Sequence, residues 1–378
     1  MGRRPPNPRL RYAALCAALV LATSACTVPA GFPGAPVPSA AVTADARTIA
    51  LRLSDALSRR NQDTFLTVFS AEPEDQAVGR SWYAVLSAGE ASVEPAAPDL
   101  LRVSYRLPGD RGQATEVVAF QLAQGSERIS WVRSVGEGLP LWSLPGVVPT
   151  RAASGTLVSG GLDARSRTAW AARLDRAADA VRRSGVTAAD TTLGERWGGG
   201  LVVEVPPAGR FGEVTGESAT NASAITSCKA GTPRVVVNPV VLGQPDAWLD
   251  STLVHEAVHV ATGSACVTAG VSVGWVVEGV AESVAEASDP ATDARNRSLV
   301  RTYLRAHGVP AALPERLETL TDYALAALAV EEVRSHLGSR ADDFLRTGIH
   351  EGASLTRTQL DSATKWYIAE LLRRARSG

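Results

Sequence analysis

The chain has 378 residues, enough for two domains of ordinary size, and 45% of them are hydrophobic, as in globular folds. Lys and Arg total 38 against 39 Asp and Glu, for a net charge of −1. That balance excludes the basic footprint of a nucleic-acid-binding protein, so no nucleic-acid partner is expected.

At the N-terminus, Arg3, Arg4, Arg9 and Arg11 precede an apolar run from Tyr12 to Ala25, too short to span a bilayer comfortably. The run ends in Thr23-Ser24-Ala25-Cys26, small residues directly before a cysteine. This resembles a bacterial lipobox, although Thr23 stands where Leu is usual. The resemblance implies removal of residues 1–25 as a signal peptide, lipid on Cys26, and an exported protein anchored to the outer side of the cell membrane. Secretion after Ala25, or a retained anchor, is the alternative. Residues 26–43, Pro-rich from Pro29 to Pro38, read as an extended tether. Of four Cys, Cys16 falls in the removed segment and Cys26 would carry lipid. Cys228 and Cys266 remain, and a disulfide between them is the economical reading in an oxidising compartment. Two separately buried thiols is the alternative, and a Cys ligand for a metal is less economical still.

Residues 44–148 read as a first domain. Helical periodicity at Ile49, Leu53 and Leu57, then at Phe65, Leu66 and Phe69, is followed by strand-like runs at Leu100 to Leu107, Glu116 to Gln124 and Ile129 to Val135. Turn signals such as Pro108-Gly109-Asp110 separate the strands. Helices before an antiparallel meander make an α+β domain. The order resembles the nuclear-transport-factor-2-like (NTF2-like) cone. No His occurs before His255, so a spacer or interaction role is expected of this domain. Leu139 to Trp142 and Pro145 to Pro149 read as a linker.

Residues 149–378 read as a second domain. Ser166 to Arg183 is an amphipathic helix with Trp170, Leu174, Ala177 and Val181 on one face, closed by Gly185. Leu201 to Val205, Ala222 to Ser227 and Arg234 to Val237 are candidate strands, and Asn238-Pro239 stops the last. Asp246, after Pro245, opens a helix that Gly263 closes. Inside it stands His255-Glu256-Ala257-Val258-His259. Two His four apart on a helix project from one face, so both imidazoles can reach one metal ion. Eighteen residues separate His259 from Glu278, which stands in Trp275-Val276-Val277-Glu278-Gly279-Val280-Ala281-Glu282. Glu278 and Glu282 are costly on so apolar a segment unless they have partners, which a metal and a ligating imidazole would supply. Three protein ligands leave a fourth position for water, the pattern of a catalytic zinc, and Glu256 is placed to take a proton from that water. After Asp289-Pro290 the pattern is helical to the end, including Asp322 to His336 and Lys365 to Arg374.

H-E-A-V-H followed by W-V-V-E-G-V-A-E resembles the peptidase MA-like clan of zinc metallopeptidases, the gluzincins. The resemblance is specific over about forty residues and weaker elsewhere. It implies zinc bound by His255, His259 and Glu278, with Glu256 as general base and Glu282 as a carboxylate orienting a ligating His. It also implies a small mixed sheet before the zinc helix, helices after it, and an edge strand along the cleft that pairs with substrate, for which Ala222 to Ser227 is the candidate. Aminopeptidases of the clan hold the substrate amine with a G-x-M-E-N segment, and the one Met here is Met1. Endopeptidase action on a peptide or protein is therefore expected. The clan places a Tyr or His beside the oxyanion. Tyr323 is favoured here over Tyr303, His307, His336 and His350. The alternative to an enzyme is a binding or scaffold lipoprotein that retains the zinc site. Hydrolysis of a non-peptide amide is a further reading.

Overall fold

A computed structural model describes residues 43–377, apart from 137, 187–196, 217–221, 229 and 268–269. The expected signal peptide, Cys26 and nearly all of the tether lie outside the described residues. Among the described residues no helix is long and apolar enough to cross a membrane. Residues 42–378 form one compact unit of mixed α+β structure with two small sheets.

The early helical periodicity becomes α1 (Thr43–Ser58), α2 (Gln62–Leu66) and α3 (Pro73–Leu86), with Ile49, Leu53 and Phe65 buried. The side chain of Asn61 starts α2 by accepting from the Thr64 amide. Strands β1 (Glu90–Ala97), β2 (Leu100–Arg106), β3 (Ala114–Leu122) and β4 (Ile129–Ser134) form an antiparallel meander in that order. The last three lie where the apolar runs placed them. β1 has a single buried residue, Val93, and so shows no alternation to read.

The expected linker is instead part of the fold. Leu141 and Trp142 are buried, and the Trp142 ring meets that of Trp82 edge-on, centroids 4.4 Å apart. Val147–Ala152 is β5, paired antiparallel with β6 (Gly155–Gly160). β5 is an edge strand, which tolerates Pro149. β6 is buried throughout and therefore lacks a period-two pattern.

From β6 the chain runs through α4 (Ala164–Ser184), capped by Asp163 and closed by left-handed Gly185, to β7 (Leu201–Val205), parallel to β6. Then come α5 (Phe211–Thr215), β8 (Ala224–Ser227) and β9 (Arg234–Val237). The sheet order is β5-β6-β7-β9-β8, which leaves β8 on the far edge, antiparallel to β9. Helices α6 (Asp246–Thr262), α7 (Gly274–Ser288), α8 (Pro290–His307), α9 (Leu320–Leu337), α10 (Ala341–His350) and α11 (Arg357–Ser377) follow.

Strand periodicity divides this sheet between two cores. Leu201, Val203, Val205, Val235 and Val237 pack with the helices, whereas Val202 and Val236 pack with the N-terminal region. Residues 44–148 thus share their core with Val158, Phe211 and Val214. Buried Arg234 sits on the shared face. It donates to both carboxylate oxygens of Asp110 (3.0 and 2.7 Å), to Glu204 (3.2 Å) and to the Tyr105 hydroxyl (2.6 Å). Those acceptors keep its charge despite burial. Arg111, the residue after Asp110, donates to the carbonyls of Val260 and Ala261 at 3.0 and 3.1 Å, near the C-terminal end of α6. The N-terminal region therefore holds one end of the helix that carries the H-E-x-x-H motif.

Candidate metal centre

α6 is buried on most of its circumference, with Leu249, Leu253, Val254, Ala257, Val258, Val260 and Ala261 all in the core. Its remaining stripe carries His255 and His259, rings 5.0 Å apart. α7 packs against α6 and presents Glu278 and Glu282, also four apart, to that stripe. His255 Nε2 lies 3.1 Å from Glu278 Oε2, and His259 Nε2 lies 3.4 Å from the same atom. One donor atom from each of His255, His259 and Glu278 falls within 4.8 Å of the others. A tetrahedral zinc with bonds of about 2.0–2.1 Å separates its ligand atoms by about 3.3 Å. The donor chemistry and the spacing fit that ion.

The other ring nitrogens are already engaged. His255 Nδ1 is 3.0 Å from Glu282 Oε2, and His259 Nδ1 is 3.0 Å from the hydroxyl of Ser264. With Nδ1 engaged on its outer side, each ring directs Nε2 inward toward Glu278. Glu282 is held in turn: its second oxygen accepts from Arg295 at 3.0 Å and from Asn296 at 2.5 Å. Burial alone would raise the Glu278 and Glu282 carboxyls. For Glu278 the rings of His259 and His255 outweigh burial. For Glu282, His255, Asn296 and Arg295 do so, and both acids are held below the usual range. Burial likewise opposes charge on His255, but Glu278 and Glu282 raise it well above the ordinary imidazole value.

Glu256 is buried beside His255, and its Oε2 accepts a 2.7 Å hydrogen bond from the Thr226 hydroxyl on β8. Edge strand β8 therefore touches the motif helix through Thr226. A cleft of about 370 Å³ opens here, lined among others by Ala224, Trp248, His255, Glu256, Leu320 and Tyr323.

Tyr323 reaches the cleft because of a glycine. A Cβ on Gly279, the residue after Glu278, would lie 2.4 Å from the Ala326 carbonyl oxygen. Without one, α7 and α9 approach closely, and Tyr323, one turn before Ala326, stands edge-on to His255 with centroids 5.7 Å apart. Burial, with Glu278, Glu256 and Glu282 nearby, pushes its hydroxyl up to about 12, so at neutral pH it is a proton donor. The other sequence candidates lie elsewhere. Tyr303 packs against His307, and His336 lies flat on Trp366. His350 lines a separate small cavity with Arg334.

Cys228, just beyond β8, and Cys266, just beyond α6, form a disulfide with Cα atoms 5.2 Å apart. Sequence reasoning did not identify Thr226, Ser264, Arg295, Asn296 or Arg111 as parts of the site. Thr226 lies in the strand expected along the cleft, but its bond to Glu256 leaves no mark in the sequence. Ser264 meets His259 five residues back across the end of α6, and Arg295, Asn296 and Arg111 reach the site through tertiary contacts. Compared with protein-family models, curated proteins and solved structures, the chain matches none.

Proposed function

We propose that this protein is a zinc-dependent peptidase, an endopeptidase rather than an aminopeptidase, with zinc held by His255, His259 and Glu278. The observation that carries the reading is the pair of inward Nε2 atoms converging on one Glu278 oxygen while both Nδ1 atoms are bound from outside. Bound zinc would supply Lewis acidity toward water and the scissile carbonyl.

The chain's own groups do the rest. The Glu256 carboxylate accepts the proton of the attacking water and returns it to the leaving amine. The Tyr323 hydroxyl donates to the oxygen on which negative charge develops. Edge strand β8 offers a register along which an extended substrate backbone lies, and Trp248 and Leu320 give the cleft apolar walls for its side chains. Glu282 fixes the tautomer of His255. The clan likeness of the motif supports the same assignment. On this reading the mixed sheet and helices from β5 onward are a gluzincin-type catalytic domain, and α1–β4 is an NTF2-like cone built against it. Export and a lipid anchor at Cys26 belong to the same proposal.

Digestion of a broad peptide library by the metal-loaded protein, with Glu256→Gln as control, tests it. Cleavage that the control lacks is the expected result. An inert wild type with bound zinc would leave a zinc-holding scaffold as the better reading.

A further inference from the structure

α6 ends at Gly263 (φ +74°), which turns the chain into a single 3-10 turn, Ser264–Cys266. Two residues of that turn hold different things. Ser264 places its hydroxyl 3.0 Å from His259 Nδ1, and Cys266 is bonded to Cys228. Cys228 follows β8, two residues after Thr226. The disulfide thus joins the segment that supports His259 to the strand that supports Glu256.

The two histidines are supported unequally. The His255 partner is a carboxylate in the middle of α7, itself held by Arg295 and Asn296. The His259 partner is a hydroxyl on a three-residue 3-10 turn with no buried residue, outside any α-helix or strand. The turn's own backbone bonds are short-range, Cys266 N to the Gly263 carbonyl at 2.9 Å and Val267 N to that of Ser264 at 3.1 Å. Its covalent tie to the sheet is the bridge to Cys228, 38 positions away in sequence.

We propose that Ser264 is a positioning residue for His259 and that the Cys228–Cys266 disulfide keeps it there, so that metal affinity depends on the redox state of that bridge. The inference rests on the zinc reading of the site. To offer Nε2 to a metal, His259 must keep its proton on Nδ1, and a hydroxyl at fixed distance can accept that proton and hold the ring angle. A dithiol reductant would pass two electrons and two protons to the bridge, leaving two thiols and becoming a disulfide itself. The turn would then lose its anchor and Ser264 its fixed distance from the ring.

Zinc affinity of the full chain, measured by competition with a chromophoric chelator, tests this. Ser264→Ala should bind zinc roughly tenfold more weakly, and Ser264→Thr, which keeps the hydroxyl, should stay near wild type. The Cys228→Ser/Cys266→Ser pair should lose about as much as Ser264→Ala. Adding Ser264→Ala to that pair should cost little more, because the two changes remove the same support. Melting of the metal-free proteins reports folding separately. If the serine pair does not fold, wild type reduced with a dithiol and blocked with iodoacetamide replaces it. Wild-type affinity in Ser264→Ala or in the bridge-free protein, or losses that multiply, would overturn the proposal and leave the zinc site standing. Wild-type protein that takes up no zinc would overturn both.

Discussion

The Thr226 hydroxyl donates to Oε2 of Glu256 at 2.7 Å, joining an edge strand to the residue between the two histidines of the motif. One carboxylate oxygen is thereby restrained, and the rotation of Glu256 with it. The contact spans thirty positions in sequence and exists because β8 runs beside α6.

Removing that hydroxyl while keeping the side-chain shape should slow the proton transfer and leave binding intact. Thr226→Val is expected to lower kcat roughly tenfold with KM little changed, and Thr226→Ser should recover most of the loss. Steady-state kinetics on a peptide chosen by the library digest would read this. Equal losses in Val and Ser variants would mean that the methyl packing matters and the hydrogen bond does not.

Purified protein should carry one zinc per chain by elemental analysis. His259→Ala should lose it, whereas Glu256→Gln should retain it and turn over about a hundredfold to ten-thousandfold more slowly, since an amide accepts no proton. A Glu256→Gln enzyme with full activity would remove that residue from the chemistry.

Tyr323→Phe deletes one oxygen and leaves the ring packed against His255. If the hydroxyl meets the developing oxyanion, kcat should fall about a hundredfold with zinc content and melting temperature unchanged. His336→Ala should be close to neutral for activity, because that ring stacks on Trp366 away from the cleft. Neutral Tyr323→Phe would leave oxyanion stabilisation to other groups.

Glu286, one turn beyond Glu282, predicts a pH dependence of stability. Burial pushes its carboxyl up to about 8, with Glu331 and Glu282 adding to the effect and Asn296 opposing it. An unfolded Glu titrates near 4.5. Between those values the folded chain holds a proton that the unfolded chain releases. This group's contribution is therefore greatest below the unfolded value, falls as pH rises toward 8, and is flat beyond. Glu286→Gln is neutral throughout. It should raise the melting temperature by a few degrees at about pH 8 and by much less at about pH 5. An equal change at both pH values would show that the carboxyl titrates normally.

Much of the candidate site was legible because its geometry is helical. Four-residue spacing alone puts His255 with His259 on one stripe, and Glu278 with Glu282 on another, before anything is known of how the helices meet. The helix ends were marked by Pro245 and Gly263, and the strands from Leu100 to Ile129 by apolar runs between turns. The pairing of Cys228 with Cys266 followed from arithmetic among four cysteines. β5 and β6 were not legible: one contains Pro149, the other is buried on both faces, and neither alternates.

The sequence by itself determined which side chains could share a metal, since local periodicity sets what faces the same way. Only the tertiary structure decided what supports them. Thr226 on Glu256, Arg295 on Glu282 and Arg111 on the end of α6 all depend on strand order and on how closely the helices pack. A hydroxyl or guanidinium carries no mark of its future partner. Its acceptor is chosen by the fold that brings distant segments within three ångströms of each other, and that distance is a property of the packed chain rather than of any window along it.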